Sequence, residues 1–465
     1  MPRHHDSPPA WLNSEAITTA LGRQSEPDQQ VLKDILDKSL ALEPLGLDEI
    51  AALLRVRAPQ KIVELEAAAD LVKQKVYGDR IVLTAPLHLD SHCESDCRYC
   101  AYRSGSDQIE RKRLDPHEIR EAGKKLIRQG HKRVILTCGH SEQTTAAYLA
   151  EACDILSHLS EGQGEIRRIN LDAGEIEPQE YAILRQADAG AINIYQETYS
   201  EEYYKKAHPK GPKSNFARRL HAPEIALESG MDDVALGIAF GLGPWEFDLL
   251  ALSLHAAHLA SACGTGSRVL NLHRVRPAAG CSWKAPLPMN DPDFIRAVAI
   301  TRLAIPYAGI MLATQEASNL WKEGCNTGAS QVLTGSLANP YENWLDAPGE
   351  KIPFPTGQET HLDEVVRILL EEGRHLPSFC TACPRLGRSG HEFIAMAEQG
   401  DIKSQCGPNS LASFLEFLLN YATPGTREMG EALIRDRLGT MSAHERGAAE
   451  KLLQKVRAGR SDEFI

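Results

Sequence analysis

The chain reads as an α/β protein, and eight short apolar runs alternating with helical stretches predict a closed, parallel (βα)8 barrel of the TIM type. Two further observations frame the barrel. Residues 1–78 carry only helical periodicity, and a segment rich in Pro, Gly and Asn separates the last run from a helical tail. At 465 residues, 42% hydrophobic and 25% charged, the chain can bury a barrel core and still carry appendages.

In the N-terminal segment (1–78), Val31, Leu32, Ile35, Leu36 and Leu40 recur at helical spacing, as do Ile50, Leu53 and Leu54. The strand candidates of the barrel domain (79–338) are 81–89, 133–137, 167–172, 191–195, 233–240, 268–275, 308–314 and 330–335. Six strands in an open barrel would also satisfy the weaker runs. Residues 339–361 read as a loop or linker, and 362–465 as a C-terminal helical domain with cysteines of its own.

A formal net charge of −12 argues against nucleic-acid binding, which needs a basic footprint. No apolar stretch is long enough for a membrane span: the best candidate, 249–263, is interrupted by His255 and His258. The polar, proline-bearing start lacks a secretory pattern. Eleven cysteines then point to metal or redox chemistry, and the expected location is the cytoplasm.

Directly after the first strand candidate, DSHCESDCRYC places Cys93, Cys97 and Cys100 within eight residues. Structural zinc prefers CxxC pairs and four protein ligands, so CxxxCxxC is a poor zinc site. Three thiolates suit an iron–sulfur cluster with one iron left open. An open coordination position distinguishes a catalytic metal from a structural one.

This motif resembles that of the radical S-adenosylmethionine (SAM) superfamily, which implies a [4Fe–4S] cluster whose open iron chelates SAM. The reduced cluster then yields a 5′-deoxyadenosyl radical that abstracts a hydrogen atom from substrate. The resemblance makes Tyr99 a contact on the adenine side. Gly139, in Thr137-Cys138-Gly139-His140, stands where the family receives the methionine amino group, although a plain strand-to-helix turn reads equally well. Gly237, in the 237–241 segment, resembles the family's approach to the adenine; a bend is the alternative. Gln196 and Glu197 are expected at the barrel mouth as SAM or substrate contacts.

In the tail, Cys380 and Cys383 form a CxxC followed after 22 residues by Cys406. A zinc site completed by His391 or His375 competes with a second cluster. SFCTACPRLGRSGHEFI and QCGPNSLASF, with QETYSEEYYKKAHPKGPK and HRVRPA, resemble the HydG family of [FeFe]-hydrogenase maturases. That resemblance spans residues from about 40 to the end. It implies a carbon–carbon lyase that cleaves tyrosine between Cα and Cβ, giving p-cresol and dehydroglycine. The fragment is then converted to CO and cyanide on iron at a second [4Fe–4S] cluster. It also implies a flavodoxin- or ferredoxin-type reductant, a product-accepting maturation protein, and an additional iron at the second cluster.

Two positions depart from the family. Arg268 stands where a histidine near the extra iron is expected, and arginine is no metal ligand; His273, five residues on, is the substitute to weigh. Gln315 stands where an arginine anchors the substrate carboxylate, leaving Arg274 or Arg276 to compensate. The catalytic set is therefore Glu197, Arg276 and Gln315, with Arg276 also a SAM contact. A divergent lyase or synthase acting on another amino-acid-type substrate, and an iron–sulfur scaffold without radical chemistry, are the competing readings.

Overall fold

The structure is a computed structural model that describes residues 7–23, 25–334, 361–371 and 373–465. Eight parallel strands close into a barrel: β1 (Arg80–Asp90), β2 (Arg133–Cys138), β3 (Arg168–Asp172), β4 (Ile192–Asn193), β5 (Val234–Phe240), β6 (Val269–Arg274), β7 (Gly309–Ala313) and β8 (Gln331–Leu333). Neighbours pair in chain order, and β8 pairs with β1 at Val82↔Gln331 to close the ring, which excludes the open six-stranded alternative. The fourth run shortens to two residues because the chain leaves the ladder at Ile194 and touches it again only through a Glu197↔Ile238 bridge.

Alternation decides which side chains face the helices and which face the lumen. Along β1, Ile81, Leu83, Ala85, Leu87 and Leu89 join the main core, while Arg80, Val82, Thr84, Pro86 and His88 share the opposite parity. The connecting helices start where the sequence caps them. The helix α5 (Pro116–Gln129) opens on a capping box of Asp115 and Glu118 and stops at Gly130, whose φ of 96° favours glycine.

Four helices precede the barrel: α1 (Ser14–Arg23), α2 (Gln29–Leu40), α3 (Leu47–Leu54) and α4 (Pro59–Val76). They pack onto the barrel helices, and the fully buried Lys73 of α4 donates to the Cys325 carbonyl at 2.7 Å.

The C-terminal segment is not wholly helical, as the sequence reading expects. Its strand β9 (Leu376–Ser378) pairs in parallel with Arg80–Val82, so Val82 bonds Gln331 on one edge of β1 and Ser378 on the other. This extra strand delivers the second cysteine group to the N-terminal end of the barrel. A hairpin of Ser160–Glu161 with Gly164–Glu165 was likewise absent from the sequence-based expectation. The expected loop 339–361 falls, except for His361, outside the described residues. Among the described residues, no helix is long and apolar enough to cross a membrane.

Candidate active site

Cys93, Cys97 and Cys100 follow β1 on a loop with almost no regular structure, held instead by bonds to its neighbours. Glu94 N–H donates to the His140 carbonyl (2.8 Å), Asp96 N–H to Lys210 (2.9 Å) and Arg98 N–H to Ala207 (2.9 Å). Cys93 Sγ accepts from His140 N–H at 3.4 Å. Gly139 makes this packing possible: a β-carbon there would lie 2.1 Å from the His92 carbonyl oxygen. Burial pushes the Cys97 thiol up to about 12 and raises the Cys100 thiol well above its ordinary range, so both would persist as neutral thiols unless metal takes them as thiolates.

A polar rim faces this loop. The Tyr99 hydroxyl is 2.8 Å from His208 Nε2. Glu197 is buried at φ 70°, a left-handed conformation that is strained for a glutamate, with Lys213 Nζ at 2.5 Å and His273 Nε2 at 3.7 Å. Burial alone would raise its pKa; Lys213 and His273 overcome that and hold it at about 2. Asp172 lacks such a close partner, and burial raises it to about 6. Gln196 is 1% exposed, and neither Oε1 nor Nε2 has a protein partner among the described residues. Buried amides are normally bonded, so this pair suits a polar ligand. Three thiols on a braced loop beside such groups fit a cluster with one open iron and a SAM molecule on it.

Other expected contacts behave differently. Gly237 has a local reason to be glycine: a β-carbon would lie 2.6 Å from the Tyr195 ring. Tyr195 forms an apolar collar with Ile135, Ala235, Val269, Met311 and Leu333. The expected adenine approach at Gly237 is therefore not needed to account for that residue. Gln315 is exposed at the turn after β7. Arg274 and Arg276 both pair with Glu316, and Arg274 also holds Asp291 at 2.7 Å.

His273 shares the lumen parity of Val269 and Asn271 but lies toward the C-terminal end, beside Glu197. It cannot stand in for a ligand at the other cysteine group.

That group lies at the barrel floor. Cys383, on a short turn of helix, has its sulfur 3.7 Å from Cys406 of the long helix Asp401–Asn420. Cys380 Sγ accepts from Ala382 N–H at 3.5 Å, and the Cys380 carbonyl accepts from Arg133 Nη2 at 3.1 Å. The Cys383 thiol, with help from Arg80 and Arg268, brings Cys406 down to about 7. All three cysteines line one cavity with Arg80, Arg133, Arg168 and Arg268. Among the described residues no three His, Cys, Asp or Glu side chains gather around a single metal ion. His375 instead bonds Asn326 at 2.7 Å and does not line the cavity, and nor does His391. The zinc alternative loses its fourth ligand, whereas three soft donors facing a cavity suit a second cluster.

Lys213, His208, Tyr195, Arg80, Arg133 and Arg168 have no assigned role in the sequence reading. For the arginines a signal exists: Arg80, Arg133, Arg168 and Arg268 each stand within a residue of the start of strand runs one, two, three and six.

A closed (βα)8 barrel with an open cysteine triad at the end of its first strand defines a radical SAM enzyme, which uses a [4Fe–4S] cluster and SAM. The Radical SAM superfamily pattern matches residues 91–248, and the Biotin and Thiamin Synthesis associated domain matches 272–375. A crystal structure of HydG, a maturase of the [FeFe]-hydrogenase, superposes with a TM-score of 0.92 at 31% identity, covering 98% of this chain and 100% of that one. HydG from Carboxydothermus hydrogenoformans gives 0.80 at 30% identity, covering 94% and 96%. The 2-iminoacetate synthase of Escherichia coli K12 is 26% identical over 60% of this chain and 73% of its own. The chain belongs to the HydG family.

Proposed function

We propose that this chain is a carbon–carbon lyase that cleaves tyrosine between Cα and Cβ, releasing p-cresol, and converts the remaining dehydroglycine to CO and cyanide at a second cluster held by Cys380, Cys383 and Cys406. The observation that carries this reading is the pair of three-cysteine sets at opposite ends of one closed lumen. They are separated by the length of β1, roughly 36 Å for 11 residues at about 3.3 Å each.

When bound at Cys93, Cys97 and Cys100, the cluster with SAM supplies a 5′-deoxyadenosyl radical for hydrogen abstraction. The chain's own residues do the rest. Tyr99, braced by His208, and the unpartnered amide of Gln196 offer polar and aromatic contacts to the cofactor. Glu197, kept ionised by Lys213, presents fixed negative charge where an ammonium or hydroxyl group of cofactor or substrate would bind. The lumen excludes bulk water, so a reactive imine travelling toward the floor is protected from hydrolysis. Tyr195 and its collar lie across that route.

A second reading has its own support. With Gln315 neutral and both Arg274 and Arg276 held by Glu316, the mouth lacks an obvious fork for a tyrosine carboxylate. An amino-acid-like substrate with a different anchoring group accommodates this. A reductant protein, a product acceptor and a cytoplasmic setting belong to either reading.

Anaerobic reconstitution and incubation with SAM, reductant and individual amino acids separates the two. Deoxyadenosine with p-cresol from tyrosine, and CO trapped by a haemoprotein, supports the first. Deoxyadenosine released with another amino acid and no p-cresol supports the second.

A further inference from the structure

The floor cavity is unusual in its charge. Four guanidinium groups, Arg80, Arg133, Arg168 and Arg268, line it together with Cys380, Cys383 and Cys406. One carboxylate, Asp233, pairs with two of them: it lies 3.2 Å from Arg168 and 3.5 Å from Arg268. Arg133 reaches the Cys380 carbonyl, and Arg80 lies over the Tyr77 ring at 5.1 Å with its buried Nε lacking any partner among the described residues. Arg268 is fixed on three sides, by Asp233, by the Arg388 carbonyl at 3.5 Å and by the Phe393 ring, whose centroid is 3.6 Å from its Cζ.

A four-iron cluster on three thiolates carries roughly one net negative charge. With Asp233 ionised, about two positive charges remain uncompensated around the open iron. Guanidinium groups stay protonated and cannot ligate a metal. The Tyr77 hydroxyl is committed to the Tyr307 carbonyl. Among the described residues no histidine lines the cavity. The extra iron that the family resemblance implies therefore finds no imidazole or carboxylate among the described lining residues, only the weak amide and hydroxyl oxygens of Asn170, Gln331, Ser330 and Thr381, and it meets an unfavourable potential.

We propose that the second cluster of this chain carries four irons and no additional metal, and that its arginine-lined chamber is built for a small anion, of the carboxylate class, beside the open iron. This rests on the two-cluster reading above. A fragment reaching the floor then meets a cationic chamber for its carboxylate beside the open iron, with no further iron to be dressed with ligands.

The test uses the full chain reconstituted anaerobically with excess ferrous iron and sulfide, then desalted. Roughly eight irons per chain are expected, from two four-iron clusters; roughly nine would overturn the proposal. Arg268→His places an imidazole beside Cys383 and Cys406 and should gain about one iron per chain; no gain means that Arg268 is not what excludes the metal, and the proposal fails. In Cys97→Ser protein, which keeps only the floor cluster, formate should change the electron paramagnetic resonance spectrum of the reduced cluster. Arg133→Gln in that background should weaken formate binding at least tenfold, and absence of any formate effect also overturns the proposal. The two-cluster reading fails separately, if the wild type binds only about four irons and Cys380→Ser changes nothing.

Discussion

Each end of the barrel holds a three-cysteine set, and the two sets sit in opposite electrostatic surroundings. At the mouth, charge is paired: Glu197 sits between Lys213 and His273, Glu175 takes Arg219 at 2.9 Å, and Glu316 takes Arg274 and Arg276. At the floor, four arginines line one cavity, and among the described residues Asp233 pairs with two of them, Arg168 and Arg268. Burial and the neighbouring Arg168, Arg268 and Arg80 push even the Arg133 guanidinium down to about 9. The difference teaches that a cysteine triad does not by itself define a site. A neutralised pocket suits a zwitterionic cofactor and substrate, whereas a cationic one suits an anionic fragment.

The largest expected effect breaks the comparison outright. Cys97→Ser should abolish deoxyadenosine formation while leaving the floor cluster's iron in place. Cys383→Ser should leave deoxyadenosine formation intact and remove about four irons per chain. Loss of SAM cleavage in both variants would show that the two ends do not act separately.

Next is the mouth's central ion pair. Glu197→Gln leaves the partly buried Lys213 without its carboxylate, at a cost of up to about 3 kcal/mol, read as a lower unfolding midpoint. The pH dependence follows from the carboxylate's depressed pKa. Its folded value of about 2 lies below the ordinary 4.5, so the stabilisation is present above 4.5 and is lost as pH falls toward 2. The variant should lack that part of the acid-induced decline.

A smaller effect tests the collar between the ends. Gly237→Ala forces a methyl group toward the Tyr195 ring and the Asn271 carbonyl, 3.0 Å away, and should destabilise by about 1–3 kcal/mol. Combining it with Tyr195→Ala should restore much of the loss, since the ring is the main obstacle. Equal loss in the double variant would place the strain in the backbone instead.

The smallest effect concerns Asp172, where the sign is reversed. Burial raises its folded pKa from 3.8 to about 6, so the folded protein holds the proton more tightly than the unfolded chain. Its contribution is full below about 4 and is lost as pH rises through 6. Asp172→Asn should flatten stability across that window and raise it modestly at neutral pH, as differential thermal unfolding at pH 4 and pH 7 would register.

Much of this architecture was legible in the residues. The eight runs carry the barrel because buried parallel strands need continuous apolar stretches, and each lies within a few residues of its observed strand. The two triads were legible because their spacing is local chemistry. The short β4 was harder, since Ala191 to Tyr195 has strand composition throughout and only its neighbours decide where pairing stops. Strand β9, three residues containing a proline, gives no periodic signal and exists because the lower edge of β1 is open to it. Arg268 and His273 could be compared by parity alone. Their assignment to opposite ends needed the register of the closed barrel.

By itself the sequence determined the barrel, its helical appendages and two incomplete cysteine sets, because periodicity and ligand spacing are written over a few adjacent residues. Only the tertiary structure decided what surrounds each set. Arg80, Arg133, Arg168 and Arg268 lie far apart along the chain, and ring closure brings their strand starts to one floor. Gly237 makes sense only once Tyr195 is seen packed against it from the adjacent strand. Electrostatic fields and steric room depend on distances through space, and a linear chain does not carry those until it folds.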